Sequence, residues 1–500
     1  MMLIKVSVLI AYFLIVLIIG FVARTRWVSS PETYFLADRK LGTFILLGTM
    51  VWILGRKIWQ AGRKQHIVTP PELVKKIYNS PLLSFLFAMV MIIFTIPYLA
   101  LQPMAAGYAL EELVGLPYVY GCILVTVIIL LYTLRGGLRA VAWTDLFQGA
   151  VMFILLFVSL IMVAQHHGGF IEANQKVLAS YPELFSRPGG QGKYTPGIWF
   201  SFMMLWFLCD PMFPQLFQRF FAAKSERVIS RTMLFYPLVC TIVFLMPISV
   251  GVLGKLSFPD LVGRQADRIL PMVLTSISGD FMAALVIAAG LAALMSTMDS
   301  QLLTLSSIFT RDIVVIFRKT GGDTSITGRI FVVFLSLAGL ALAYKPPATI
   351  LQIATQTFTG LAVLFPTVIF GLYLKKVFSV AAILSILTGE AMLVCFYFKW
   401  IPGGVFLPVV WIALLTFSVY LLTHFIMLWK EKDLAFKTPS WLTNRYVYLF
   451  TAIFILGIDF WSWGKIEPIL FGVPTWMGYF IILSSLQVII MVFMLRKEYQ

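Results

Sequence analysis

Blocks of apolar residues recur along the chain between short polar or basic connections. A helix needs about 20 predominantly apolar residues to cross a bilayer. On that measure the pattern predicts spanning helices near 4–23, 81–108, 117–134, 140–164, 197–221, 230–254, 280–309, 328–344, 349–374, 377–398, 404–428, 446–463 and 477–495, thirteen in all. The blocks are continuous, without the inside/outside alternation of barrel strands, and in lipid only helices or closed barrels satisfy every backbone group. The fold class is therefore all-α integral membrane, a helical bundle.

Charge changes the picture by giving the bundle an orientation. The 500 residues are 60% hydrophobic and carry a net charge of +16. In a soluble protein that excess would suggest nucleic acid, but here Lys and Arg cluster in short loops. The connections 135–139 (Arg135, Arg139), 222–229 (Lys224, Arg227), 311–327 (Arg311, Arg318, Lys319), 375–376 (Lys375, Lys376) and 429–445 (Lys430, Lys432, Lys437, Arg445) fall at every second crossing. Such loops are expected in the cytoplasm. The chain is then a multi-pass cell-membrane protein with its amino terminus outside and its carboxyl terminus inside. The longest opposite connection, 165–196, holds HHGG, RPGGQGK and YTPG and reads as a solvated extracytoplasmic loop. The first block is followed by Arg24 and Arg26 rather than by a small-residue cleavage site, so a retained helix is expected. Cys122, Cys209, Cys240 and Cys395 lie in apolar segments without metal-like spacing and are expected to be unpaired.

One segment, LGTFILLGTMVWILGRKIW (41–59), breaks the alternation. It is apolar enough to enter the membrane, yet basic clusters flank it on both sides, Arg24 to Lys40 before it and Arg56 to Lys76 after it. A single crossing would put one cluster outside and invert every later loop. The segment is therefore expected to dip in and return, or to lie along the inner surface.

Candidate chemistry concentrates in AALMSTMDSQLL (292–303). Ala293, Ser296, Thr297, Ser300 and Thr304 fall at i, i+3, i+4, i+7 and i+11 and form one polar stripe on a helix. Such hydroxyls often bond back to their own i−4 carbonyls or across to a neighbour. A hard monovalent cation also wants several neutral oxygens, and a carbonyl at i with hydroxyls at i+3 and i+4 supplies three. Asp299 costs roughly 2.5–3.5 kcal/mol at mid-membrane. It points about sixty degrees away from Ser296, which suits a partnered structural acid or a gate better than a direct ligand. Asp210, between apolar residues and Pro211 with Pro214 following, marks a helix interruption that frees carbonyls, or an ordinary kink with a partnered acid. His66, His166, His167 and His424 show no triad or metal spacing. Neither a nucleophile with a base nor a phosphate loop is present, so an enzyme is not expected.

AALMSTMDSQLLTLSSIFTRDI (292–313) resembles the signature helix of the sodium:solute symporter family, which includes sodium-coupled carriers for sugars, proline, pantothenate and sialic acid. YFLADRKLG (34–42), LRGGLRAVAWTDLFQG (134–149) and FPQLFQRFFAAKSER (213–227) are similar to other family segments, in family order. The resemblance implies a single transporter domain with a LeuT-type inverted repeat. Residues 4–23 form a peripheral first helix, 41–374 the core repeats and 377–500 additional helices. Na⁺ is the coupling ion, with no other cofactor and no transition metal, and a small organic solute binds near the midplane. The Ala293 carbonyl with the Ser296 and Thr297 hydroxyls would hold sodium. Asp145 and Gln148 resemble a polar pair near the cytoplasmic sodium exit, with Asp299 and Ser300 as further exit or gating candidates; Thr144 and Asp145 capping an interfacial helix is the alternative. Gln352, Gln356, Thr357 and Thr359 sit on the helix that faces solute in the family, and Asp210 joins them as a candidate. Glutamines in lipid need partners and are expected to look inward.

The sequence departs from the family at 50–51. LGTFILLGTM resembles the cytoplasmic half of the first core helix and VWILGRKIW that of the second, while their outer halves, roughly forty residues, are missing. Two inner halves joined directly enter and leave on one side, which accounts for the charge parity. The loss also removes the carbonyls that the first core helix offers to sodium in the family. Two functions follow from these patterns: sodium-coupled symport by alternating access, and a transporter-like sensor or transport-inactive shortened variant. The expected partners are solute, Na⁺ and the lipid bilayer, with no nucleic acid.

Overall fold

The computed structural model describes residues 2–22, 54–189, 192–317, 324–431 and 445–499. Residues 41–53, and with them the junction expected at 50–51, lie outside the described residues. The helices are α1 Met2–Val22, α2 Gly55–Gln65, α3 Pro70–Tyr78, α4 Pro81–Val114, α5 Tyr118–Arg135, α6 Ala140–His166, α7 Phe170–Ser180, α8 Pro196–Cys209, α9 Pro214–Ala222, α10 Glu226–Gly254, α11 Ile269–Ile277, α12 Asp280–Ile308, α13 Thr324–Tyr344, α14 Ile350–Ala362, α15 Phe365–Tyr373, α16 Ser379–Tyr397, α17 Pro408–Lys430, α18 Arg445–Leu456 and α19 Thr475–Tyr499. Among the described residues twelve helical runs are long and apolar enough to cross a membrane, and the pair α8 and α9, bent by 49°, makes a thirteenth. The fold is all-α.

Local chemistry sets many of the ends. Ser80, Thr195 and Ser225 each accept a hydrogen bond from the backbone N–H three residues on, and Thr69 and Thr349 form complete capping boxes with Glu72 and Gln352. The basic connection 135–139 is shorter than a loop. It is a kink at Gly137, whose φ of 58° glycine adopts without strain.

Two regions differ from the sequence reading. The 165–196 connection is packed rather than wholly solvated: α7 buries Ala173 and Val177, and Phe185 and Arg187 are buried after it. Arg187 Nη2 lies 2.5 Å from Asp459 Oδ2, and its guanidinium stands 4.5 Å from the Trp476 ring centre and 5.1 Å from that of Trp463. A buried charge persists only when paired in this way. Residues 255–279, between two expected spans, contain α11, which packs on α10 and α12.

Helix α2 carries the last five residues of the anomalous segment, 55–59. Leu54, Ile58 and Gly62 make its buried stripe, and it packs against α9 and α10. A Cβ at Gly62 would stand 2.4 Å from the Phe221 ring, so this contact requires glycine. On its polar side Arg56 pairs with Glu226 at 2.5 Å, Trp59 Nε1 donates to the Ala223 carbonyl at 3.0 Å and Arg63 to that of Lys224 at 2.9 Å. Residues 54–65 therefore lie at the end of the bundle where α9 hands over to α10.

At the same helix ends Thr69 Oγ1 accepts from the Glu72 N–H and donates to the buried Asp312 carboxylate at 2.7 Å, while Arg311 holds Glu72 at 2.6 Å. Losing a cap and a buried hydrogen bond to a charge together costs on the order of 2 kcal/mol. Thr69→Ala is expected to lower stability by about that amount in a detergent unfolding measurement, with Thr69→Ser close to wild type.

Candidate functional site

Helix α12 occupies the centre of the bundle, touching α1, α4, the α5–α6 run, α9 and α13. Alanines at 283, 284, 288, 289 and 292 let neighbouring backbones approach closely. Its hydroxyls then fall into two groups, set by which helix they meet.

The first group gathers around Asp145 of α6. Ser296 Oγ donates to Asp145 Oδ1 at 2.6 Å, Ser300 Oγ lies 3.4 Å from Oδ2, and Arg219 of α9 forms a short ion pair with that same oxygen. Arg219 Nη2 also donates to Ser300 Oγ at 2.8 Å. Three helices thus converge on one carboxylate, whose side chain is 7% exposed against 12% for Arg219. Ala293, Ser296 and Thr297 are half-buried beside this cluster, and Thr297 Oγ1 donates to the Ala293 carbonyl at 2.9 Å. A hydroxyl that gives its proton to a carboxylate turns its lone pairs the other way, which is the orientation a cation requires.

The second group pins helices together. Thr304 Oγ1 donates to Gln218 Oε1 at 2.6 Å, Gln218 Nε2 donates to Ser307 Oγ at 2.9 Å, and Ser306 Oγ reaches the Gly328 carbonyl at 2.9 Å.

Asp299 lies apart from both groups. It is fully buried, accepts from Tyr132 OH at 2.9 Å through Oδ2, and its Oδ1 has no hydrogen-bond partner among the described residues. Gln148 Nε2 donates to Tyr12 OH at 3.3 Å, and Tyr12 OH in turn approaches Met295 Sδ at 3.6 Å, which ties α1 to α6 and α12.

The other candidates sit elsewhere. Asp210 begins a 3₁₀ turn ending at Met212, between α8 and α9, and Tyr236 OH donates to its Oδ2 at 2.6 Å. Beside this break Tyr98, Phe213 and Phe358 form an aromatic wall with ring centres 4.8–5.4 Å apart, and Thr357 is buried next to Phe358. Thr359 Oγ1 bonds back to the Thr355 carbonyl at 2.7 Å. The two glutamines expected to look inward are both exposed. Gln352 is exposed and spends its side chain on the capping box at the start of α14, and Gln356 is exposed one turn further on.

Arg219, Gln218, Tyr132 and Tyr12 were not singled out from sequence. The available signal was QLFQRFFA, where a glutamine and an arginine stand side by side among phenylalanines. Polar groups in such surroundings need partners on other helices.

The chain is similar to the sodium/pantothenate symporter of Escherichia coli (strain K12), 28% identical over 375 residues that cover 73% of this chain and 77% of the relative. It is 26% identical over 354 residues to the high-affinity proline transporter PutP of Bacillus subtilis (strain 168), with 68% and 74% covered. To the sodium/proline symporter of Staphylococcus aureus (strain Newman) it is 26% identical over 452 positions, covering 78% and 85%. That alignment opens gaps on this chain's side, because 78% of 500 residues is fewer than 452. Among solved structures, a Na⁺-coupled sialic acid symporter in a substrate-bound outward-open state superposes with a TM-score of 0.68 at 17% identity, over 84% of this chain and 97% of that one, a likeness of fold. The sodium:solute symporter family model matches residues 36–389, well over half of the chain, and the protein belongs to that family.

Proposed function

We propose that this symporter holds its coupling ion on α12, at the Ala293 carbonyl and the Ser296 and Thr297 hydroxyls, and releases it past Asp145, Ser300, Gln148 and Asp299. The observation that carries this reading is the Ser296–Asp145 hydrogen bond of 2.6 Å, which aims the serine lone pairs away from the carboxylate. Thr297 reaches the ion by turning its proton from the Ala293 carbonyl. Arg219 supplies the release step. A sodium ion and a guanidinium beside one carboxylate repel each other, by about 4 kcal/mol at 4 Å for an effective dielectric constant of 20. Ion occupancy and the Arg219–Asp145 pair therefore oppose each other, and the position of α9 responds to the ion.

The solute is a small organic molecule taken up near the α8–α9 break, with Asp210, Gln352, Gln356 and Thr357 as the candidates for its surroundings. Thr357 and Asp210 have the stronger support, because they flank the aromatic wall. The amino terminus lies outside and the carboxyl terminus inside, as the basic connections suggest. The first two core helices are shortened at 50–51; charge parity and the position of α2 beside the α9–α10 connection support this. Shortening removes the carbonyls that a complete first core helix would offer and favours a second reading, a transport-inactive sensor that still binds sodium.

Proteoliposome uptake of proline, pantothenate and sialic acid separates the two. Under symport, an inward Na⁺ gradient replaced by K⁺ lowers uptake of one solute by about 5–150-fold, the span of ordinary coupling energies. A sensor gives no uptake of any solute while sodium still raises its melting temperature. Uptake indifferent to sodium overturns both readings.

A further inference from the structure

Helices α10 and α19 pack antiparallel, so the first turns of α10 meet the last turns of α19. Between them opens a cleft of about 910 Å³. Arg227, Arg231 and Leu234 face it from α10, at i, i+4 and i+7, and Val492, Leu495 and Arg496 from α19, at i, i+3 and i+4. All three arginines are exposed and none has an acidic partner among the described residues. Glu226, next to Arg227 in sequence, is committed to Arg56 of α2. Three guanidinium-bearing side chains and the apolar side chains of Leu234, Val492 and Leu495 thus share one lining. Further along both helices Phe235, Leu238, Ile489 and Phe493 are exposed apolar side chains, a surface made for acyl chains.

From this geometry we infer that the α10–α19 cleft is a binding site for an anionic phospholipid, its phosphate held by Arg227, Arg231 and Arg496 and its chains running down between the two helices. Arginine suits the task because its planar fork pairs with phosphate oxygens in a bidentate manner. Three cations within a few turns repel one another, and a phosphate in their midst relieves that repulsion. The inference rests on the orientation proposed above, which puts this rim at the cytoplasmic leaflet, where anionic lipids are held by juxtamembrane basic groups.

The test uses the full chain in a neutral detergent, so its outcome is independent of transport. Retention of phosphatidylglycerol is followed by native mass spectrometry and by the rise in melting temperature, against phosphatidylcholine of the same chains, glycerol 1-phosphate and inorganic phosphate. Phosphatidylglycerol alone is expected to bind and stabilise. Each arginine near a membrane surface contributes about fivefold in affinity. The triple variant R227Q/R231Q/R496Q is therefore expected to lose on the order of a hundredfold. R496Q alone, near the end of the last helix, is expected to lose about fivefold, which keeps the test valid if the triple variant fails to fold. K64Q/K375Q/K430Q, which removes three exposed charges outside the cleft, is expected to bind as wild type. Equal retention of both lipids, equal stabilisation by free phosphate, unchanged binding by R496Q, or a matching loss in the lysine variant overturns the inference.

Discussion

Replacing both hydroxyls, Ser296→Ala with Thr297→Ala, is expected to raise the sodium concentration for half-maximal uptake on the order of a hundredfold. A hydrogen-bonding group facing a charge contributes about 1.5–3 kcal/mol, and two at the lower bound reach that factor. Thr297→Ser keeps the oxygen and is expected to keep the affinity. The measurement is solute uptake into proteoliposomes across a sodium titration. Wild-type sodium dependence in the double variant would move the ion away from α12 altogether.

The second large effect is on stability. Asp145→Asn leaves the Arg219 guanidinium, 12% exposed, without its counter-charge and is expected to destabilise the protein by about 3–5 kcal/mol. The double variant Asp145→Asn/Arg219→Gln removes both charges and is expected to recover most of that loss, because an uncompensated buried ion costs more than the absence of a pair. Thermal unfolding in detergent with and without sodium separates the roles. If the single variant is as stable as wild type, the pair makes no structural contribution. If the double variant regains stability but not sodium-induced stabilisation, the carboxylate is also part of the ion's surroundings.

The bundle was legible because each crossing is a local matter. Apolar blocks such as 81–108 and 377–398 announce themselves by length alone, and Pro81, Pro196 and Pro408 punctuate the starts. The polar stripe of α12 was equally legible, since its phase is fixed by residues three and four apart. Its partners were not. Arg219 and Asp145 are 74 residues apart, and Tyr132 and Asp299 are 167 apart, so nothing in either local pattern indicates that they meet. The same limit explains α7 and α11. Helix α7 is mixed in composition and α11 is apolar but too short to cross a membrane; both are helical because tertiary packing buries one face of each, a contribution that periodicity over nine to eleven residues barely registers. The local use of Gln352 was missed for another reason, because its part in a capping box with Thr349 shows only once the start of α14 is fixed.

The break at Asp210–Met212 means that α8 and α9 answer to different neighbours. Helix α9 is fastened to α12 through Gln218 and Arg219, whereas α8 leans on α14 and α17. A continuous rod would transmit any tilt from one end to the other. Two rods meeting at 49° need not, so a tilt of one half is compatible with intact hydrogen bonds on the other.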